Sequence, residues 1–184
     1  GLPAHPLLVH IPVVMVPLAA VGALAIVVSK KLRARLGWLV ALFAIVGGFG
    51  AALAANAGEG LRDRVPRTAN MVHHAQLGET ARNFSLLFML VVVGFLGLEW
   101  LLAKRPTSAQ GSDSTASGSA DAPSKPFLVK WGIPAAMVAT VLTAGAAMWT
   151  IIDAGHSGAK ATWSRTGNGG TVSDTIAAGH GGDD

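Results

Sequence analysis

Residues 7–28 read LLVHIPVVMVPLAAVGALAIVV. This stretch contains no charged side chain, and His10 is its only strongly polar residue. An α-helix needs about 20 apolar residues to cross about 30 Å of hydrocarbon, because it rises about 1.5 Å per residue. The stretch therefore predicts a helix that spans a membrane.

Three further apolar stretches of similar length follow, at about residues 36–55, 84–103 and 127–152. Over all 184 residues, 51% are hydrophobic, 13% are charged and the mean hydropathy is +0.50. These values exclude a water-soluble single domain. We predict an all-α membrane protein, a bundle of four transmembrane helices.

The polar segments divide this bundle into parts. We expect three transmembrane helices in residues 1–105, a flexible linker of Ser, Ala and Gly at 106–126, and the fourth helix with an outer-face segment at 127–163. Residues 164–184 are rich in Gly and end in Gly-Gly-Asp-Asp, which predicts a disordered tail.

The basic residues predict how the bundle is oriented. The turn after the first span holds four cations and no acid: Lys30, Lys31, Arg33 and Arg35. Because such loops stay in the cytoplasm, we expect the linker inside the cell and both termini outside a plasma membrane. The net charge of +4 is then a topology signal, and we expect no nucleic-acid partner. Glu99, near Lys104 and Arg105, is expected to form an ion pair at the inner interface.

The chain has no cysteine, which excludes disulfides, thiolate chemistry, iron–sulfur clusters and covalently attached haem. Any metal must be bound by imidazoles and carboxylates. With the topology above, all six histidines fall at the outer membrane face, and five of them adjoin helix ends: His5, His10, His73, His74 and His156. This convergence predicts a shared site at that face.

The motif that runs from His5 to Pro12, HPLLVHIP, is the most specific pattern in the chain. Together with four spans, a histidine at the start of the third span and Gly155-His156-Ser-Gly-Ala after the fourth, it resembles the prokaryotic membrane protein family DUF2231 over most of residues 1–163. The resemblance implies a small prokaryotic membrane module and carries over His5, His10, Pro12 and one of His73 or His74. Some relatives are joined to cytochrome-type domains, which points towards electron transfer.

Our leading hypothesis is a membrane electron-transfer module that binds non-covalent b-type haem. We expect His10 and His74 as the axial ligands, with His5, His73 and His156 as substitutes or as ligands of a second site. Gly78, one turn after His74, leaves room for a flat macrocycle. The remaining candidates are four cations at the height of the haem propionates, Arg62, Arg64, Arg67 and Lys160. Asp153 is a carboxylate that can accept the ring N–H of His156.

Other functions fit the same residues. The runs of small residues, such as Gly47 to Asn56, serve either helix packing or the walls of a planar cofactor site. A structural accessory subunit of a larger respiratory or transport complex would need no cofactor. A Cu or Zn site could use His10, His74, His5 and His156, with Asp153 nearby. No hydrolase motif occurs, so an electron carrier or accessory subunit is favoured over a stand-alone enzyme, with the lipid bilayer, quinone, a c-type cytochrome or a larger membrane complex as partners.

Overall fold

The computed structural model describes the backbone of residues 4–62, 69–104 and 131–167, and the side chains of residues 7–60, 69–104 and 131–160. These residues form four long helices and no strand: α1 is Ala4–Val28, α2 is Lys30–Arg62, α3 is Ala69–Ala103 and α4 is Ile133–Gly167. All four are long and apolar enough to cross a membrane. The predicted four-helix membrane fold is confirmed. The predicted linker at 106–126 and residues 168–184 of the predicted tail lie outside the described residues.

The helices form a closed ring, in which α1 packs on α2, α2 on α3, α3 on α4 and α4 on α1. Helices α1 and α3 are therefore diagonal to each other, as are α2 and α4. We call the end at which α1 and α3 begin and α2 and α4 end the histidine end. The opposite end, which contains the basic residues 30–35, is the basic-turn end.

The turn between α1 and α2 is a single residue, Ser29. Its hydroxyl oxygen accepts a hydrogen bond from the backbone N–H of Leu32 at 3.3 Å, which is the bond of a helix N-cap. Its own N–H donates to the carbonyl of Ala25 at 3.1 Å. Ser29 thus closes one helix and starts the next, so α1 and α2 pack side by side along their length.

Small residues let these two helices approach closely. A methyl group at Gly50 would lie 2.5 Å from Cγ2 of Ile11, and one at Gly47 would lie 2.9 Å from Cγ2 of Val16. On the neighbouring face of α2, a methyl group at Gly48 would lie 3.1 Å from Cβ of Met89 in α3. Gly47, Gly48 and Gly50 of α2 are therefore used for contact between helices.

The core at the bundle centre consists mainly of alanines and a few large side chains. Phe88, Val92 and Phe95 of α3 are buried against the small buried residues of α1 and α4. Because lipid is as apolar as these side chains, close packing between them is what holds the helices together.

A buried ion pair joins α2 to α3 near the basic-turn end. Arg33 forms a salt bridge with Glu99, and its side chain is only 5% exposed. The guanidinium also lies 5.1 Å from the ring centroid of Phe95. We expected Glu99 to pair with the nearby cations Lys104 and Arg105. For Lys104 this was wrong, because its ammonium lies 3.9 Å from the ring centroid of Trp100 and Glu99 binds Arg33. Arg105 lies outside the described residues.

The helices continue past the predicted spans at the histidine end. Helix α3 begins at Ala69, fifteen residues before Phe84, and α4 continues to Gly167, fifteen residues after Ile152. At about 1.5 Å per residue, each extension is about 22 Å long. The two extensions form a short antiparallel pair beyond the apolar spans, and this pair contains most of the predicted site residues.

Candidate functional site

The two extensions contact each other through His74 of α3 and Ser157 of α4. Nδ1 of His74 lies 2.9 Å from Oγ of Ser157, and both side chains are half-buried. The residues are 83 positions apart in the chain. The helix pairing, and no local motif, brings them together.

A second hydrogen bond decides the direction of the first. The Ser157 hydroxyl donates its single proton to the carbonyl oxygen of Ala154, one turn back in α4, at 2.8 Å. Its oxygen therefore accepts the bond from His74, so the His74 proton is assigned to Nδ1 by this network. In the neutral ring the lone pair is then on Nε2. This is the tautomer of an imidazole that binds a metal through Nε2 and directs its N–H at a fixed acceptor.

Two glycines shape the space around the His74 ring. A methyl group at Gly158 would lie 3.0 Å from Cε1 of His74, so the ring seats closely on the α4 backbone. One turn along α3 from His74, no atom lies within 4 Å of the position that a methyl group at Gly78 would occupy. The ring is thus held against α4 at Gly158, and α3 has open space one turn further along, at Gly78.

A polar pocket of about 260 Å³ opens beside this contact. Its lining consists of two residues of α3 and four of α4: Asn70, His73, Asp153, His156, Ser157 and Lys160. All of them except Ser157 are exposed. The pocket lies in the extensions, so water reaches it without crossing the apolar spans.

The structure brings several predicted residues to this pocket. His73, His156 and Asp153 line it, and His74 adjoins it through Ser157. Asp153 and His156, which are both described, make no hydrogen bond with each other, so their predicted pairing stays a prediction. Among the residues that the structure describes, no three His, Asp or Glu side chains are already arranged to hold a metal ion.

Other predicted residues lie elsewhere. His10 is exposed on α1, which is diagonal to α3, and it does not line the pocket. The side chains of His5 and Arg62 and all of Arg64 and Arg67 are outside the described residues.

Sequence reasoning missed three contributors to the site, Asn70, Ser157 and Gly158, whereas Lys160 was among the predicted cations and lines the pocket. The spacing of Asp153, His156, Ser157 and Lys160 places them on one face of a helix. That signal was used for Asp153 and His156, which were expected to lie one helical turn apart, but the fourth helix was expected to end at His156, before Ser157 and Lys160. The proximity of Gly158 to His74 has no sequence signal, since it depends on how α3 and α4 pair.

Comparison with protein families matches residues 1–167 to the family described as "Predicted membrane protein (DUF2231)". No curated protein and no solved structure matches the chain.

Proposed function

Since this chain belongs to the DUF2231 family of predicted membrane proteins, we propose a function within the bilayer, electron transfer through a non-covalent b-type haem held at the histidine end. His74 is the ligand that we place with most support. Haem iron supplies reversible one-electron chemistry, and two axial imidazoles leave no open position for a substrate.

The observation that carries this proposal is the hydrogen bond of His74. An axial imidazole binds iron through one nitrogen while the other donates to a fixed acceptor, which orients the ring and sets its tautomer. Ser157 is such an acceptor, because its only proton is used on the carbonyl of Ala154. His74 is half-buried at a helix contact, where Gly158 of α4 lies close to its ring.

The surroundings of His74 fit a flat group. One turn along α3 from His74, Gly78 has no side chain and open space in front of it, so α3 carries no bulky group there that would block a macrocycle. The available donors are imidazoles, which are ligands that haem iron takes in proteins.

The second axial ligand is proposed to be His10, with His5, His73 and His156 as the alternatives. His10 is exposed on the helix diagonal to α3. His10 lies in the apolar stretch of α1, whereas His74 lies ten residues before Phe84, about 15 Å further along the bundle axis. A haem between α1 and α3 therefore requires the two imidazoles to approach each other along this axis, as well as the His10 side chain to turn inwards. The proposed electron partners are quinone, a c-type cytochrome or a larger membrane complex on the outer side of a plasma membrane.

The alternative of a cofactor-free accessory subunit takes no support from the glycines of α2. Gly47, Gly48 and Gly50 contact α1 and α3 of the same chain. They therefore do not form a free surface for docking another subunit.

The test is a reduced-minus-oxidised absorption spectrum of the full chain, purified from cells supplied with haem precursor. We expect sharp α and Soret bands, and we expect their loss in His74→Ala because the iron loses an axial ligand. A matched control is Gln76→Ala, an exposed position on α3 that does not line the pocket. A featureless spectrum from haem-replete wild-type protein would refute the proposal.

The same spectrum identifies the second ligand. We expect His10→Ala to remove or shift the bands, and His73→Ala and His156→Ala to leave them in place. Loss of the bands in His156→Ala, with His10→Ala unaffected, would move the haem to the α3–α4 pocket and exclude the pairing with His10.

A further inference from the structure

The pocket between the extensions contains metal-binding donors that a haem bound by His10 and His74 does not use. His73 of α3 and Asp153 and His156 of α4 all face it. They come from two helices whose relative position is set by the contact of His74 with Ser157. Two imidazoles and a carboxylate are a donor set found in zinc sites, and imidazole also suits copper.

We propose that this pocket binds a divalent late transition metal ion, Zn²⁺ or Cu²⁺, through His73, His156 and Asp153. Asp153 is then a direct ligand. Asp153 lines the pocket together with both histidines.

The ligands reach the ion by rotation of their side chains. All three are exposed, so no core packing has to change for them to turn towards a common point. On α4, Asp153 and His156 are three residues apart and lie on one face, one turn from each other. His73 faces them from α3, and a fourth coordination position is left for water.

Lys160 lies in the same pocket and carries a charge of the same sign as the metal. Its ammonium repels a bound cation and offsets the charge of Asp153 when no metal is bound. Replacing this ammonium by a neutral polar group is therefore expected to strengthen metal binding.

The position of the pocket suits an ion from aqueous solution. Ser157 is five residues past Ile152, which places it about 8 Å beyond the predicted apolar span. A hydrated ion thus enters without losing its water to hydrocarbon.

The proposal does not depend on haem, and its test is made on haem-free full-length chain in detergent micelles. Zn²⁺ is titrated by calorimetry, and Co²⁺ is added in parallel as a probe whose visible absorption reports tetrahedral coordination. We expect one Zn²⁺ per chain, and at least a tenfold increase of the dissociation constant in each of His73→Ala, His156→Ala and Asp153→Asn. Lys160→Gln is expected to lower it.

The matched control for the loss of a carboxylate is Glu79→Gln, an exposed acid on α3 outside the pocket, which should leave the dissociation constant unchanged. The helicity and melting temperature of each variant show whether it folds. If a variant unfolds, the corresponding Gln substitution replaces it. The proposal would be overturned if the wild-type chain bound no Zn²⁺. It would also be overturned if all three ligand variants kept the dissociation constant of the wild-type chain.

A Cu²⁺ titration followed by electron paramagnetic resonance separates the two ions. Copper is expected to bind more tightly than zinc, with nitrogen hyperfine structure that is reduced in His73→Ala and in His156→Ala. Mg²⁺ and Ca²⁺ prefer oxygen ligands and should not compete. Copper spectra without nitrogen coupling would count against the imidazole ligands, whatever the haem spectrum shows.

Discussion

Ser157 determines the chemistry of His74 through one hydroxyl group. The hydroxyl donates to the carbonyl of Ala154 and accepts from Nδ1 of His74, which orients the imidazole and places its lone pair on Nε2. Without the hydroxyl, the ring N–H would lose its acceptor at a half-buried position, which is unfavourable. Ser157 is therefore a positioning residue that acts through His74.

Ser157→Ala is expected to weaken haem binding roughly 10-fold to 100-fold, the usual effect of removing the partner of a metal-binding histidine. The haem titration of detergent-solubilised protein measures it, and the reduction potential should shift as well. Ser157→Thr keeps the hydroxyl and should restore both values. A threonine variant as weak as the alanine variant would show that packing, and not the hydrogen bond, is the cause.

A second prediction at this scale compares two glycines of α4. Gly158→Ala places a methyl group 3.0 Å from Cε1 of His74, whereas no atom lies within 4 Å of the methyl position at Gly155. Both substitutions favour the helix by up to about 1 kcal/mol. We expect Gly155→Ala to be stabilising and to retain haem, and Gly158→Ala to displace the ring and reduce haem occupancy. Equal occupancy in the two variants would mean that the ring is not held by α4.

At the scale of single helices, Gly47 and Gly50 control how closely α2 approaches α1. The proximity of Gly50 to Ile11 shows that the two backbones leave no room for a side chain there. Helix propensity would favour alanine at Gly50. The close contact with α1, and not helix propensity, therefore explains the glycine at this position.

Gly50→Val is expected to destabilise the bundle by about 1 to 3 kcal/mol, as overpacking of a tight core does. Gly60→Val, at an exposed position of the same helix with no atom within 4 Å, is the control. Thermal unfolding in detergent compares them. If Gly50→Val and Gly60→Val unfold at the same temperature, Gly50 is not in close contact with α1.

The salt bridge between Arg33 and Glu99 connects α2 to α3 where each meets the basic-turn end. Within the described part of the chain, Nε of Arg33 has no hydrogen-bond partner, so the guanidinium depends on Glu99 and on the face of Phe95. Burying such a pair costs desolvation energy, and removing one member leaves an uncompensated charge.

Glu99→Leu is therefore expected to destabilise the protein by about 3 to 5 kcal/mol. The double variant Arg33→Leu with Glu99→Leu should be closer to wild type than Glu99→Leu alone, since no charge is left unpaired. Denaturant unfolding of all four proteins of the cycle measures the coupling. Additive losses would show that the two side chains do not interact energetically.

At the scale of the whole molecule, the ring of helices places His10 and His74 at the same end. Trp38, Trp100 and Trp131 are exposed near the opposite, basic-turn end, where indole rings suit the interface between lipid and water. The charged turn predicts that the basic-turn end faces the cytoplasm and that the histidine end faces outside.

Cysteine labelling tests this orientation, because the chain contains no cysteine of its own. A membrane-impermeant maleimide applied to intact cells should label Leu7→Cys and Gln76→Cys, both exposed at the histidine end, and should label Lys31→Cys only after lysis. The reverse pattern would invert the orientation. Labelling of Leu7→Cys and Gln76→Cys from opposite sides would contradict the bundle and remove any site shared by α1 and α3.

The amino-acid pattern alone was sufficient to predict four membrane-spanning helices, since a run of apolar residues has few other stable environments and its length matches the bilayer. The same pattern predicted that histidines gather at one end, because alternating spans bring every second connection to the same side. For the first span, the predicted residues 7–28 agree with α1 at its C-terminal end.

The partners of individual side chains depended on how the helices pair. Glu99 of α3 binds Arg33 of the adjacent helix α2 and not Lys104, which is nearer in the chain. His74 binds Ser157, which is 83 residues away in the chain. Hydropathy also underestimated α3 and α4, since their polar extensions are stabilised by contact with each other and not by lipid. Such contacts depend on the rotation of each helix about its axis and on its depth in the membrane. Sequences with the same apolar pattern can differ in both.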